Sequence, residues 1–535
     1  MPIANYQVPG VYVTQSGNAL SSVNPTNLNI AIVTDQAVPS TFTDTFIGVV
    51  PTSGISIGQL STPLVNTTSS GLYANYTGFT VTWISGSTTI TGAYGRDFTV
   101  STPSGSAFSF LTTTNISGSG VAILPSGSVT ITYGNYWGAY GTYTSFNQVN
   151  NVLGAAVSGS TITSPATLAS YLAFQNGAST VSILPVARVS TITGAVTGSS
   201  GTYSTYGAAA ATSDWLRTFN PVSGTYTSND PTYLVNFIGV DVVVPLYGFI
   251  SSSGTGVLPY AGNSVASSIS TYLTTQSGAG IYQRAFVGVD GTSNQVTTSG
   301  LQLLASGFGG SAAGTRVSLV YPAALTYNPG LNSNTGLTNV NFNIPGYYLA
   351  AAVAGTFVGQ TDVMVPVTNK QINGFTSIPN QISLIDAQSN YLPYGILTVR
   401  QKRDGNFWIL HGLTTNVQNW ITQEISINAV GDRLANNVKK DLENSSLVGG
   451  PLTKNTTAAV LGTVQGSLTN AVSNGLIQSY QNLSLSVNQA NPTTVNVTFQ
   501  YAPTYPINYI QVTLSLNTTT GQIVYGNTQS NFVAY

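Results

Sequence analysis

The chain of 535 residues has no cysteine, one histidine and two methionines. The first absence excludes disulfides, thiolate nucleophiles and cysteine-ligated metal sites. Charge is also scarce. Thirteen basic and 14 acidic residues make up 5% of the chain, where an ordinary soluble domain has about 25%. A net charge of −1 provides no global field to steer the protein toward nucleic acid or an anionic membrane. The opening MPIANYQVPG lacks the basic and apolar regions of a signal peptide, which predicts synthesis and folding in a cytoplasm. The longest apolar run, YYLAAAVAGTFVG at 347–359, is short of the roughly 18–20 residues of a membrane helix.

What is present argues against disorder, which combines low hydrophobicity with high net charge. Apolar residues reach 42%, and tyrosines number 30. The length allows two to four domains at roughly 100–200 residues each. A near-neutral surface rich in Thr, Ser and Tyr is poor at self-repulsion, so the composition favours association. The few charges are unevenly placed. Arg400, Lys402, Arg403, Arg433, Lys439, Lys440 and Lys454 are seven of the 13 basic residues, and no charged side chain follows Lys454.

Four textures follow one another along the chain. QVPGVYVTQ (7–15) is rich in strand formers, with Pro9-Gly10 as punctuation, and SGNALSSVNP after it reads as loop. NLNIAIVTD (27–35) is a short apolar strand. From about 60 to 140, segments such as GFTVTWISG and SGSVTITYGNY alternate strand formers with Gly/Ser turns, the pattern of a β-sandwich or small barrel. Beyond 145, strands alternate with helices of about 10–15 residues. SPATLASYLAFQNG opens with Ser164 as N-cap and Pro165 at the first helical position, and stops at Gly177. STVSILPVARV, TYLVNFIGVDVVVPL, RAFVGVDG and TRVSLVYPAAL are the strands, and NSVASSISTYLTTQSG and SNQVTTSGLQLLASG the helices between them. This predicts a mostly parallel sheet covered on both faces.

Beyond 390 the texture changes again. YGILTVRQKRDGNFWILHGLTT reads as a hairpin turning at Asp404-Gly405. Trp420 to Leu442 is expected to be one helix, with Ile427, Val430, Leu434, Val438 and Leu442 as its apolar stripe. A second helix is expected over 456–474. TTVNVTFQYAP and INYIQVTLSL are period-2 strands, and QIVYGNTQSNFVAY ends the chain with one more.

Candidate catalytic groups are few. His411 lies in the apolar strand FWILHGLTT and reads as structural, with no Gly-x-Ser-x-Gly elbow near it. Glu424 and Glu443, the only glutamates, fall on one expected helix, and Asp97 and Asp241 are isolated. SGFGGSAAGT (306–315) lacks the Lys-Ser/Thr of a phosphate loop and reads as a flexible loop. No enzyme activity, cofactor or metal is therefore expected. Two interaction candidates remain. The N-terminal strand is either an edge strand of its own subunit or an arm that pairs elsewhere. An arm of 25 residues could reach on the order of 80 Å. Backbone hydrogen bonds at roughly 0.5–1.5 kcal/mol each do not offset an ordering cost of about 1–2 kcal/mol per residue. Burial of Val11, Tyr12 and Val13 must supply the difference. The charged helix, with Asp432, Arg433, Lys439 and Lys440 off its stripe, either faces a partner or is simply a solvated face.

In this order the segments resemble the contractile tail sheath proteins of bacteriophages and related phage-derived injection devices. PGVYVTQ resembles an N-terminal signature of that family, LAFQNGASTVSILPV its helix-to-strand step, and AAAVAGTFVGQTDVMVPVTNKQINGF its Ala-rich helix and following loop. GNFWILHGLTT and YPINYIQVTLSL resemble its C-terminal hairpin and strand. Three positions depart from the pattern. Leu413 stands for a frequent arginine, Asn508 for a frequent glutamate, and Gln15 for a frequent acid.

The resemblance implies an α/β sheath core (26–59 and 141–393) of subtilisin-like topology, with an inserted β domain (60–140). It also implies an α+β C-terminal domain (394–521) between two arms (1–25 and 522–535). It implies a virion tail component, assembled in the host cytoplasm, that polymerises as stacked, hexameric rings around an inner tube. Contraction would drive that tube through an envelope, with baseplate and tail terminator proteins as further partners, and without nucleic-acid binding or membrane insertion. Subunits would be stitched by exchanged strands at Val8, Val11, Tyr12, Val13 and Thr14 and at Ile523, Val524 and Tyr525, while Asp432, Arg433, Lys439 and Lys440 would face the tube. The alternative is another self-assembling shell, a capsid or S-layer protein.

Overall fold

A computed structural model describes residues 28–34, 40–49, 55–56, 66–67, 72–73, 76–85, 88–92, 98–100, 107–110, 127–135, 141–186, 212–219, 239–249, 264–291, 296–309, 316–329, 340–418, 420–491, 493–508, 514–516 and 523–525. The expected N-terminal strand, with Val8, Val11, Tyr12, Val13 and Thr14, lies outside these residues, as does Gln15.

The body is built on a nine-stranded sheet. Its strands are β1 (Asn29–Thr34), β2 (Gly141–Tyr143), β3 (Thr180–Pro185), β4 (Val242–Pro245), β5 (Arg284–Gly288), β6 (Val317–Tyr321), β7 (Gln371–Ile372), β8 (Ile396–Gln401) and β9 (Phe407–Ile409). They lie in the order β2-β3-β1-β4-β5-β6-β8-β9-β7. The six from β3 to β8 are mutually parallel, and β2, β9 and β7 add antiparallel edges. Numbered along the chain, the parallel strands run 2-1-3-4-5-6, extending the flavodoxin-like doubly wound order.

The strand sequences are near-continuous apolar runs because both faces are covered. Alternate residues enter different cores. Ile30 and Ile32 of β1 join one cluster, while Ala31 and Val33 join the other. The first core holds α1 (Phe146–Leu153), α2 (Pro165–Gln175) and α6 (Tyr347–Val358). The second holds α3 (Thr212–Phe219), α4 (Ser264–Gly278) and α5 (Thr298–Gly309). The Gly-rich stretch at 306–315 is thus partly helical, since α5 runs on through Gly309.

Helix α2 begins as its sequence predicts. Ser164 accepts a hydrogen bond from the Thr167 amide at 3.3 Å, and Pro165 follows it. Helix α6 is apolar on every side because every residue from Tyr348 to Val358 is buried. It crosses α2 at backbone distance. A Cβ on Gly355 would sit 2.3 Å from the Ala173 carbonyl oxygen, so glycine is required there.

Between β1 and β2 the chain forms antiparallel sheets. Ser40–Val49 pairs with Gly127–Asn135, which pairs with Tyr76–Ser85, and Thr88–Gly92 closes the four strands. The strand Ser40–Val49 belongs to these sheets. Leu319 of β6 pairs with Ile396 of β8, so the hairpin completes the body sheet.

After the sheet come α7 (Ile425–Asn444) and α8 (Lys454–Ser473). They lead to a long two-stranded ribbon, β10 (Ile477–Val487) with β11 (Val495–Pro503), and a short one, β12 (Leu514–Leu516) with β13 (Ile523–Tyr525). The single helix expected from Trp420 is interrupted at Glu424, whose backbone is extended (φ −82°, ψ 125°) and bridges Leu413. Thr453 and Thr456 form a reciprocal capping box at the start of α8.

Two glycines should respond oppositely to alanine. Gly355→Ala should lower stability by about 1–3 kcal/mol through overpacking against Ala173. Gly462, inside α8 with open space around it, should gain about 0.5–1 kcal/mol as alanine, from helix propensity. Chemical denaturation of the two variants checks both signs.

Candidate functional site at the C-terminal joint

Helix α7 carries its own apolar stripe, yet its central side chain is an acid. Asp432 is fully buried, with Arg284, the first residue of β5, 3.5 Å away and Arg316, just before β6, 3.9 Å away. Both distances exceed the roughly 2.7–2.9 Å of a direct charge-assisted hydrogen bond, so the attraction is mainly Coulombic. Arg284 also lies over the Phe357 ring of α6 at 4.6 Å, and Arg316 donates to Ser277 Oγ at 2.5 Å. Burial pushes the Asp432 carboxyl up and the two guanidiniums down, Arg284 to about 10, while each attraction opposes its burial term. An apolar replacement of such a cluster is often neutral. What the charges add is register, because only one placement of α7 sets the carboxylate between both cations.

Asp241 borders this cluster. Its Oδ2 accepts from the Asn29 amide at 2.9 Å. Burial raises its pKa to about 7, against the pull of that hydrogen bond and of Arg284.

A second polar cluster sits at the N-terminal end of α7. His411 Nε2 is 2.8 Å from Glu424 Oε2, and Ser426 Oγ donates to Glu424 Oε1 at 3.2 Å. Asn508 Nδ2 donates to Glu424 Oε2 at 3.1 Å. Glu424 is 2% exposed, so these donors replace its water. The grouping superficially suggests a Ser-His-acid triad, but the serine faces the carboxylate and not the imidazole. A nucleophile must give its proton to the base, so this set does not activate Ser426. Among the described residues no group of three or more His, Asp or Glu side chains could hold a metal, and no helix is long and apolar enough to cross a membrane.

The expected tube-facing set separates in space. Asp432 is a correction, because a fully buried side chain cannot face a partner. Arg433 and Lys439 are half-buried on α7 and Lys440 is exposed. The Lys439 ammonium lies 3.5 Å from where a Cβ on Gly280 would be, folded against the turn after α4. Two arginines opening apolar strands were the signal for Asp432, since buried cations demand a carboxylate.

The ribbon of β10 and β11 leans one face on the core through Tyr480, Leu483, Val497 and Phe499. Its other face is uncharged and polar, with Ser484 and Thr498 hydrogen-bonded across the strands at 2.8 Å. Neither outer edge has a strand partner among the described residues. Ile523, Val524 and Tyr525 pair with Leu516, Ser515 and Leu514 of their own chain in the short ribbon. The 396–409 hairpin is enclosed, because β6 flanks one side and β7 the other.

The doubly wound body, the antiparallel sheets after its first strand, and the C-terminal helix pair with its ribbons form a fold that solved sheath structures share. The contracted helical sheath of the anti-feeding prophage has this fold, with a TM-score of 0.50 at 12% identity over 96% of this chain and 99% of that one. The contracted sheath complex of the PVC extracellular contractile injection system aligns over 97% of this chain and 99% of that one, at 10% identity and a TM-score of 0.46. In sequence the chain is similar to the tail sheath protein of Mycobacterium phage Bxz1, 28% identical over 272 residues. That match covers 51% of this chain and spans less than half of the relative, 44% of its length. No protein-family model matches the chain. The departures at Leu413 and Asn508 meet at Glu424. The Leu413 backbone bridges it and the Asn508 side chain donates to it.

Asp432→Ala should cost about 3–5 kcal/mol, because it strands two buried cations. Replacing Arg284, Arg316 and Asp432 together by apolar residues of similar volume should cost less, and denaturant titration of both variants checks this. Asp241 should give a pH slope. Between about pH 4 and 7 the folded state keeps a proton on Asp241 that the unfolded chain has released. The contribution of this group to stability is therefore greatest below about pH 4 and falls as pH rises to 7, by no more than about 4 kcal/mol. Asp241→Asn should flatten that slope in thermal melts taken across the window.

Proposed function

We propose that the chain is a structural subunit of a contractile tail sheath. It polymerises helically around an inner tube, and subunit rearrangement drives the tube through a target envelope. The observation that carries this reading is the β10–β11 ribbon. Natural proteins blunt open strand edges with charge, proline or coverage, whereas among the described residues this ribbon has two unpartnered edges, and no charged residue lies between Ile477 and Pro503. Such edges suit strand addition. The arms with Val8, Val11, Tyr12, Val13 and Thr14, and with Ile523, Val524 and Tyr525, are the strands that would be donated by neighbours.

On this reading the partners are further copies in stacked, hexameric rings, the inner tube protein, and the baseplate and terminator proteins. The particle tail is the location. Arg433, Lys439 and Lys440 are kept as tube-facing residues, without Asp432. The antiparallel sheets between β1 and β2 form the inserted domain, and the relatives' structural role extends to this chain as a non-enzyme. A capsid or S-layer shell shares the low charge and β content, but it gives no reason for the helix pair followed by open ribbons.

Negative-stain microscopy of purified protein should show tubes with helical striations, and closed shells, flat sheets or persistent monomers would sink the proposal. Deleting residues 1–15 should abolish or strongly weaken polymerisation. Tubes of unchanged stability would remove the N-terminal arm from the assembly.

A further inference from the structure

The chain leaves the long ribbon at Pro503 and reaches the short ribbon at Leu514. Among the described residues of this connection, 504–508, it is pinned twice. Thr504 Oγ1 donates to the Gly475 carbonyl at 2.5 Å, and Asn508 reaches back to Glu424 and His411. Ile507, between the pins, is 81% exposed, so its side chain adds no burial to hold this segment.

The protons at the second pin can be assigned. Two heavy atoms 2.8 Å apart at His411 Nε2 and Glu424 Oε2 need a proton between them, and the imidazole supplies it. Asn508 Nδ2 is then 3.1 Å from a nitrogen that already donates, and its own proton goes to the carboxylate. The buried Asn508 Oδ1 has no hydrogen-bond partner. The second pin is thus one side of one amide, on a carboxylate that His411 and Ser426 hold in place. Beyond the grip lies a ribbon of three residue pairs, too short to be stable alone in water.

We infer that His411, Glu424 and Asn508 form the anchor that positions the C-terminal arm for handover to a second copy of the chain. Glu424 is the fixed post, His411 and Ser426 orient it, and Asn508 is the releasable hook. This rests on the strand-exchange reading above. The titratable groups facing Asn508 are His411, following β9, and Glu424, preceding α7.

The test uses the full chain with Asn508→Ala and Asn508→Asp. The second variant sets a like charge against Glu424, so the hook should fail in it as well. Cleavage by proteinase K at 504–508 should be about ten- to a hundredfold faster in both variants. Hydrogen exchange in α7 should not change in either variant, which shows that the body stays folded. Pelleting should show tube yield falling in both. Wild-type tubes together with undiminished tubes from either variant would overturn the anchor, as would unchanged cleavage at 504–508. Absence of wild-type tubes would instead overturn the sheath reading.

Discussion

A carboxylate between two guanidiniums joins the halves of this molecule. Asp432 on α7 faces Arg284 and Arg316 where β5 and β6 begin. Apolar burial is non-directional, so along α7 it leaves the register to side-chain packing and to these ions. In a low-dielectric interior the penalty for separating these groups is far larger than at the surface. The helix is thereby fixed in register on the sheet, and α8 and the long ribbon pack onto it from there.

Scarcity of charge gives this cluster added meaning. Arg284, Arg316, Glu424 and Asp432 are all buried, although the chain has only 13 basic and 14 acidic residues to place. Using ions inside leaves the outside more neutral still. Self-repulsion is then weak, and the edges of the C-terminal ribbons carry none of the charges that commonly prevent strand pairing. A surface of this kind is a hazard for a protein that must remain a monomer and an advantage for one that assembles.

Both polar clusters engage a single helix. Glu424 precedes its first turn and meets the segment that leads to the C-terminal arm, while Asp432, two turns on, meets the body sheet. The segment leading to the arm and the body sheet therefore meet on one helix. That arrangement suits a subunit whose terminal strands carry load between neighbours while its body moves as a unit.

Sequence by itself determined the local elements. The apolar runs of β1, β4 and β6, the Ser164-Pro165 start of α2 and the Asp404-Gly405 hairpin follow from periodicity, capping and turn chemistry, which act over a few residues. The order of those elements also carried the sheath resemblance. Tertiary structure alone decided the rest. It put β8 into the body sheet through pairing with β6, broke the expected helix at Glu424, and required glycine at 355 because α2 passes at backbone distance. It also moved Asp432 from an expected outer face into the core. Periodicity records whether a position is apolar. Whether a polar residue is buried depends on its partners, and those of Asp432, Arg284 and Arg316, come to it only when the distant strands β5 and β6 have folded into place.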